Sequence, residues 1–335
     1  MRIRFDRGTL VLEPDCTGED PGQIPGTVWD GEVHAWRVPA ERHAELLVRL
    51  ADGQVRISDE VRTKELASEL EIPALRWYQN EALAAWNERG RRGVIALPTG
   101  AGKTLVAMAA MAELRVATLV LVPTRVLLDQ WARAIAACWP HPVGRLGDGD
   151  HQVAPITVAT YASAISWAPR IGDRFGLVVV DEAHHVGAWC PGEVLEMLVA
   201  PARLGLTATP PAPMGALARR VGPVVYSLAV DDLAGDALAD YDVVTVPIVL
   251  EKDERIRYRE LRGQFAAVYA ELARGQPGIT WKDFQRAART TTDGKRALAA
   301  WRAYRSLISY PTGKRDALRA LLGHHAGSRT LVFTS

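Results

Sequence analysis

The sequence is poor in cysteine and has no long apolar run, and each absence excludes a class of protein. Its three cysteines, Cys16, Cys138 and Cys190, form no Cys-x-x-Cys pair and no disulfide framework. This predicts a reducing, cytoplasmic environment. The N-terminal MRIRFDRGTL lacks the apolar core of a signal peptide, and no run reaches the ~18 apolar residues of a membrane helix. We therefore expect neither secretion nor a membrane partner.

Net charge of either sign is also nearly absent, since 40 Lys and Arg balance 39 Asp and Glu. Local charge is strongly biased, however. Residues 231–250 carry five acidic and no basic side chains, whereas residues 251–310 carry 13 basic and seven acidic ones. A polyanion such as a nucleic acid would therefore meet the C-terminal third of the chain most readily.

The 335 residues, 48% of them apolar, are enough for two or three domains. Residues 1–70 predict a small, acidic α/β domain, followed by a boundary near residue 70 because residues 59–71 are polar. Its predicted elements are a hairpin turning at Arg7 and Gly8, a strand at 33–38, a helix between Pro39 and Gly53, and a strand at 55–57.

Residues 71–240 alternate short apolar runs with helical patterns. The apolar runs lie at 94–97, 117–122, 156–160, 177–181, 203–207 and 224–228. Continuous apolar strands separated by helices predict a parallel sheet that is covered on both faces. We therefore expect one α/β domain here.

Residues 241–335 lose this alternation. After an acidic helix at 230–240, the predicted elements are a strand at 242–250, Arg-rich helices over 251–310, a helix at 314–323 and a strand at 330–335. Aromatic side chains within 251–310 could stack on bases, but the helical spacing of Phe265, Tyr269 and Leu272 favours internal packing. The arginines are therefore the stronger indication of nucleic-acid binding.

The stretch VIALPTGAGKT at 94–104 combines a strand, a glycine-rich loop and the start of a helix. Gly100 and Gly102 let backbone N–H groups approach a polyphosphate, and Lys103 can reach the β and γ phosphates. The Thr104 hydroxyl can ligate Mg²⁺. The predicted ATP-binding residues of this loop are Thr99, Gly100, Ala101, Gly102, Lys103 and Thr104. A similar stretch, PTGK at 311–314, lacks the second glycine and the Ser or Thr, and predicts a loop and helix cap.

LVVVDEAHH places Asp181 at the carboxyl end of an apolar strand, where α/β sheets bind ligands. Asp181 can hold Mg²⁺ through water, and Glu182 can deprotonate the water that attacks the γ-phosphate. A zinc site of His184, His185 and Cys190 is the weaker alternative, because a fourth ligand is absent and the spacing is wrong.

With these residues in place, the chain resembles a superfamily-two helicase with its motifs in the expected order. LRWYQNEAL is similar to the Q-type motif, LPTGAGKT to motif I, LVPTRVLLDQW to motif Ia, TVATY to motif Ib or Ic, VVVDEAHH to motif II and GLTATP to motif III. The resemblance implies a RecA-like P-loop NTPase domain. It also implies that Gln79 reads the adenine and that Arg76 supports the nucleotide pocket.

The same resemblance implies two further sets of residues. Thr124, Arg125, Thr160 and Tyr161 are expected to contact nucleic-acid phosphates, without sequence preference. His184, Thr207 and Thr209 are expected to couple the phosphate state to the grip on nucleic acid. Taken singly, these residues are equally typical of helix caps and turns.

Within the superfamily, the chain is most similar to XPB-type DNA repair helicases. RFDRGTLVL and WDGEVHAWRVPAERHAELLVRL resemble their damage-recognition domain, which assigns residues 1–70. VPIVLEKDERIRYRELRGQF resembles the start of their thumb. The resemblance implies a helicase domain 1 at 71–240 and a partial helicase domain 2 at 241–335, with a thumb-like helical insert at 251–310. The expected partners are single-stranded or forked DNA and a repair nuclease or repair complex, for a chain that is a monomer.

Two departures from the family affect activity. PPAPMGALARR stands where the family has an Arg-Glu-Asp element linked to strand opening, and the chain reaches only TLVFTS, which resembles motif IV. Motifs V and VI, with an arginine worth 10³ to 10⁵ in rate, would follow. We therefore expect ATP to be bound better than it is hydrolysed, and unwinding to be weak. An ATP-gated DNA-binding or scaffolding module is the alternative function, and an RNA helicase a further one.

Overall fold

The computed structural model describes residues 1–14, 20–61, 63–187, 192–235, 237–276 and 278–333. These residues divide into two compact units, Met1–Tyr241 and Asp242–Ser335. No helix within the described ranges is long and apolar enough to cross a membrane. Cys138 is a free thiol, whereas Cys16 and Cys190 lie outside the described residues.

The first part of the larger unit is a five-stranded sheet with one helix. Its elements are β1 Arg2–Asp6, β2 Thr9–Glu13, β3 Val28–Asp30, β4 Ala35–Pro39, α1 His43–Asp52 and β5 Ser58–Asp59. The strand order is β3-β4-β2-β1-β5, and only the β1–β5 pair is parallel. The predicted hairpin turn is present, with φ of 48° at Arg7 and 85° at Gly8. β3 was not predicted, and the last strand starts one residue beyond the predicted 55–57.

The second part is an eight-stranded sheet with helices between its strands. Its elements are α2 Trp77–Glu88, β6 Arg92–Ala96, α3 Lys103–Leu114, β7 Thr118–Val122, α4 Arg125–Ala136, β8 Gly144–Gly147, β9 Asp150–Gln152, β10 Ile156–Thr160, α5 Tyr161–Ile171, β11 Leu177–Asp181, α6 Gly192–Glu196, β12 Ala202–Thr207, α7 Gly215–Arg220 and β13 Val224–Ser227. The order is β13-β6-β12-β11-β7-β10-β8-β9, parallel except for β8–β9. The predicted RecA-like parallel sheet is confirmed.

Both faces of this sheet are buried, as the apolar runs require. Along β11, Leu177 and Val179 join one hydrophobic cluster while Val178 and Val180 join the cluster on the opposite face. A strand with two covered faces gains burial from every residue rather than from alternate ones. This explains why the sequence of the central strands is continuously apolar.

The N-terminal domain and the domain of the eight-stranded sheet meet at a buried arginine. Arg203 has no exposed surface and donates hydrogen bonds to the carbonyls of Leu195, Leu198 and Ala200. Burial lowers the pKa of Arg203 to about 10. Its guanidinium lies 3.5 Å from the carboxylate of Glu41, which belongs to the N-terminal domain and also pairs with Arg220. Glu41 therefore compensates a charge that the larger sheet has buried.

The smaller unit contains helices and no strand among its described residues. Its elements are α8 Lys252–Gly275, α9 Trp281–Ala288, α10 Thr292–Ser309 and α11 Thr312–His324. Phe284, fully buried, packs against Phe265 and Tyr269 with ring centroids 5.5 and 5.1 Å apart. The interpretation of the aromatic residues as internal packing is therefore confirmed.

Three expectations near and within this unit were wrong. Residues 242–250 form no strand, and Val243 and Val244 are each 80% exposed. The described part of 230–240 forms turns and an isolated bridge instead of a helix. Residues 330–333 have no regular structure, and the last two residues lie outside the description. A strand requires a neighbour for its backbone groups, and the described residues provide none for these apolar stretches.

Candidate nucleotide site and helicase motifs

The glycine-rich loop joins β6 to α3 at the carboxyl edge of the sheet. Gly100 and Gly102 adopt φ of 87° and 75°, conformations that side chains with a Cβ rarely take. A Cβ on Gly102 would also lie 2.5 Å from Nε2 of Gln79. The first helical residue is Lys103, so the free N–H groups of the α3 N-terminus face the loop. Loop and helix start together form an anion-binding arrangement.

Two side chains from α2 hold the loop in place. The hydroxyl of Tyr78 and Nε2 of Gln79 both donate to the Ala101 carbonyl, each at 3.0 Å. Oε1 of Gln79 accepts from the Arg76 backbone N–H at 2.9 Å, and the Arg76 guanidinium donates to the Ala237 carbonyl at 2.9 Å. Gln79 therefore lies beside the loop. Sequence reasoning missed the contribution of Tyr78.

The amino group of Lys103 turns back onto its own loop. It donates to the carbonyls of Leu97 at 3.0 Å and Pro98 at 3.1 Å. Burial lowers the pKa of Lys103, an effect that the carboxylates of Glu182 and Asp181 oppose. The cation therefore lies between the loop and the end of β11, within electrostatic reach of both acidic residues. Thr104 directly follows Lys103 in the chain, and the exposed Thr99 lies four residues before it.

Asp181 ends β11 with both carboxylate oxygens in use. Oδ2 accepts from the indole N–H of Trp131 at 2.7 Å, and Oδ1 accepts from the backbone N–H of Glu182 at 3.0 Å. Burial raises the pKa of Asp181, while the bond from Trp131 lowers it. The carboxylate is therefore fixed in orientation. Trp131 lies 50 residues away in sequence, and no local pattern indicated the contact.

The remaining motif residues converge beside Asp181. Glu182 takes a left-handed backbone conformation with φ of 50°, ahead of a short 3-10 helix that carries His184. Nδ1 of His184 lies 2.9 Å from the Thr207 hydroxyl and 3.4 Å from Oε2 of Glu182. The backbone N–H of Thr209 donates to the same hydroxyl at 3.1 Å. The three residues expected to act in coupling are thus linked to one another and to Glu182.

No metal-binding group of three or more His, Cys, Asp or Glu side chains occurs among the residues that the structure describes. His184 and His185 pack against each other with ring centroids 4.2 Å apart. Cys190, the third member of the alternative zinc set, lies outside the described residues. The Nδ1 atom of His184 instead contacts Thr207 and Glu182, as described above.

The residues expected to contact nucleic acid fall at helix N-termini, with one correction. The hydroxyls of Thr124 and Thr160 cap α4 and α5. The exposed Arg125 pairs with Asp148 in the β8–β9 turn. Tyr161, by contrast, is only 4% exposed, and its hydroxyl donates to the backbone carbonyl of Asp181. Its side chain is therefore directed into the core rather than toward the solvent, where nucleic acid would bind.

Comparison with known proteins agrees with this arrangement. Residues 3–61 match the family described as the Xeroderma pigmentosum group B helicase damage recognition domain, and residues 72–212 match the type III restriction enzyme res subunit family. The DNA 3'-5' translocase XPB2 of Sulfurisphaera tokodaii is 32% identical, over 99% of this chain and 75% of that protein. The chain belongs to the XPB family. The resemblance stated from the sequence motifs is thereby confirmed.

Other XPB-family relatives are matched over shorter stretches. The DNA 3'-5' helicase XPB of Kineococcus radiotolerans is 33% identical, over 55% of this chain and 36% of that protein. Among solved structures, the UvsW helicase of bacteriophage T4 is 17% identical, covering 67% of this chain and 99% of that one, with a TM-score of 0.39. The family assignment rests on the sequence relatives.

Proposed function

We propose that this XPB-family chain binds ATP with Mg²⁺ and hydrolyses it to move along DNA during repair. The observation that carries the proposal is the convergence of the phosphate loop, Asp181 and Glu182 at one edge of the parallel sheet. The loop follows β6, whereas Asp181 and Glu182 stand together at the end of β11, and both carboxylates act electrostatically on Lys103. Open α/β sheets bind their ligands at this edge.

The residues present fit Mg–ATP. The hydroxyl of Thr104 and the carboxylate of Asp181 are oxygen donors, which Mg²⁺ prefers, and the bond from Trp131 fixes Asp181 in one orientation. Bound Mg²⁺ would neutralise charge on the phosphates. Lys103 is proposed to exchange its two loop carbonyls for phosphate oxygens, and the free N–H groups at the start of α3 to bind the rest.

Glu182 is proposed to accept the proton of the attacking water, since it follows Asp181 directly and projects from a strained backbone turn. His184, Thr207 and Thr209 are proposed to transmit the phosphate state. Hydrogen bonds join the three residues, and Nδ1 of His184 also lies 3.4 Å from the Glu182 carboxylate. Gln79 and Arg76 are proposed to bind the adenine end. The hydrogen bond from Gln79 to the Ala101 carbonyl supports this, since it places Gln79 directly beside the glycine-rich loop.

DNA is the proposed substrate, because the relatives cited above carry that substrate in their names. Thr124, Arg125 and Thr160 are proposed to hold phosphates at the N-termini of α4 and α5, and the basic helices of residues 251–310 to grip the duplex as a thumb. These contacts are to the backbone and give no sequence preference. A repair nuclease or repair complex in the cytoplasm is the proposed setting.

The 335 residues alone are proposed to turn over ATP slowly, because the resemblance assigns the completing arginine to a motif beyond motif IV. The test measures ATP hydrolysis with and without forked DNA, for the wild type and Glu182→Gln. We expect DNA to stimulate the wild type and the variant to bind ATP while losing at least about 100-fold in turnover.

Three outcomes separate the alternatives. Nucleotide-dependent DNA binding by a wild type that never hydrolyses ATP, even with the rest of a relative's second motor domain supplied, favours the ATP-gated binding module. Stimulation by RNA and not by DNA favours the RNA helicase. A wild type that binds no ATP contradicts both motor proposals.

A further inference from the structure

Asp181 is held from outside the nucleotide loop by two aromatic side chains. The indole of Trp131, on α4, donates to its carboxylate at 2.7 Å. The hydroxyl of Tyr161, the first residue of α5, donates to its backbone carbonyl. Side chain and main chain of the same residue are therefore tied to two different helices.

Both donors lie in the protein core. Trp131 is 1% exposed and Tyr161 is 4% exposed, so neither polar group can exchange its bond for one to bulk water. A buried donor that loses its acceptor keeps the full cost of desolvation. Any displacement of α4 or α5 relative to the sheet must therefore move Asp181 as well or leave a donor unpaired.

The same two helices begin where DNA is proposed to bind. Thr124 caps the N-terminus of α4 and Thr160 that of α5. Trp131 is seven residues after Thr124, which is about 10 Å along a helix. Tyr161 directly follows Thr160. A phosphate at either cap is thus connected to Asp181 through one or two turns of rigid helix.

We propose that Trp131 and Tyr161 are positioning residues that couple DNA binding to the Mg–nucleotide site by setting the orientation of Asp181. The inference rests on the proposed function, because it needs DNA at the caps and Mg–ATP at Asp181. Phosphate binding shifts α4 and α5, the two donors follow, and the carboxylate turns with them. The link is reciprocal, so bound Mg–ATP tightens the grip on DNA by the same factor.

A purely structural role is the rival explanation, since large buried aromatic residues also fill space. The chain offers a buried control for the tryptophan and a half-buried one for the tyrosine. Trp86 is fully buried and its indole donates to the Arg203 carbonyl at 3.0 Å, away from Asp181. The hydroxyl of Tyr226 donates to Glu81 at 2.8 Å. Trp86→Phe and Tyr226→Phe remove the same atoms as Trp131→Phe and Tyr161→Phe, without touching the proposed link.

The experiment measures the affinity of the full 335-residue chain for a fluorescent, non-hydrolysable ATP analogue with Mg²⁺, in the absence and presence of a forked DNA oligonucleotide. The ratio of the two affinities is the coupling factor. We expect at least about fivefold for the wild type, in the usual range of such factors. Trp131→Phe and Tyr161→Phe should reduce it to below about twofold, while both controls keep the wild-type value. Thermal unfolding verifies that each variant is folded.

Each result either supports or overturns the inference. Wild-type coupling in Tyr161→Phe, which removes one oxygen atom and preserves packing, together with wild-type coupling in Trp131→Phe, overturns the inference. Equal loss in the controls also overturns it, because it shows a general packing effect. If Trp131→Phe does not fold, Tyr161→Phe decides alone. A wild type that binds the analogue but does not respond to DNA overturns the coupling and leaves the ATP site intact. A wild type that binds no analogue contradicts the proposed function itself.

Discussion

The chain contains two Pro-Thr-Gly stretches, and their structures are opposite. Residues 98–100 follow the buried strand β6 and open a loop in which Gly100 and Gly102 have positive φ. Residues 311–313 precede and enter α11, with Gly313 inside the helix. The amino group of Lys103 is partly buried, and two carboxylates act on it electrostatically. Lys314 instead donates to the Ser309 carbonyl on an exposed surface. Identical tripeptides therefore open a glycine-rich loop or a helix according to what precedes them.

The second glycine and the preceding strand make the difference. Gly102 permits a left-handed turn that brings the α3 N-terminus over the strand end. In the C-terminal stretch, a carboxylate rather than a preceding strand holds the tripeptide in place. The two oxygens of Glu254 accept the backbone N–H groups of Thr312 at 2.7 Å and Glu251 at 3.0 Å. Glu254 thus fixes the starts of α11 and α8 together.

Replacing the two lysines tests the comparison most strongly. Lys103→Ala should lower ATP turnover by at least about 100-fold, because it removes the only side-chain cation of the loop. Lys314→Ala should change turnover by less than about twofold, since its amino group caps a helix end. Steady-state hydrolysis with DNA measures both. Comparable losses in the two variants would contradict the assignment of the first stretch alone to ATP.

A smaller effect, on nucleotide affinity, should follow from replacing the glycines of the two stretches. In Gly102→Ala, the left-handed backbone costs about 1–2 kcal/mol and the added Cβ meets Gln79, so affinity for an ATP analogue should fall about tenfold. Gly313→Ala, in a helix, should leave this affinity unchanged. Equilibrium titration of both variants makes the measurement. Wild-type affinity in Gly102→Ala would mean that the loop binds nucleotide in another conformation.

The smallest expected effect is a pH dependence of α11. The Thr312 backbone N–H holds the pKa of Glu254 below its usual range. A carboxyl group with a lowered folded-state pKa stabilises the fold above its unfolded pKa, and the stabilisation is lost as pH falls through the folded pKa. Amide protection of α11 in hydrogen exchange should therefore fall between about pH 5 and pH 3.

In Glu254→Gln, the amides of α11 should be less protected at neutral pH. Their protection should also depend less on pH, because the glutamine side chain does not titrate. Glu271→Gln, which changes an exposed carboxylate on the same helix, serves as the control and should titrate like the wild type. If both variants respond alike, the stabilisation of the α11 start has another source.

The central sheet could be predicted because its strands are apolar throughout. Runs such as 177–181 indicated β11, and the turn chemistry of 98–102 indicated the phosphate loop. β3 and the β8–β9 hairpin escaped prediction because each strand has only three or four residues, and β8 and β9 are also rich in glycine and polar residues. Residues 242–250 are equally apolar but form no strand, since pairing partners, rather than apolar composition, create a strand.

The site was predictable only as far as its residues follow strand ends in sequence. Lys103, Asp181 and Glu182 fit that rule, because parallel strands bring their carboxyl ends to one edge. The bonds from Tyr78 and Trp131 join residues 23 and 50 positions apart, and no periodicity records them. Tyr161 was misjudged for the same reason: the sequence placed it at a helix start but gave no sign that its hydroxyl reaches Asp181.

The burial of Arg203 against Glu41 bears on how such chains can be recombined. The arginine is the second residue of β12, which ends at Thr207, and the glutamate belongs to the N-terminal domain. A chimera that joins the N-terminal domain of one relative to the motor of another should lose stability if it carries the arginine without its acid, because a buried charge then lacks its partner. Domain exchange between relatives should therefore keep both charged partners in the same chimera.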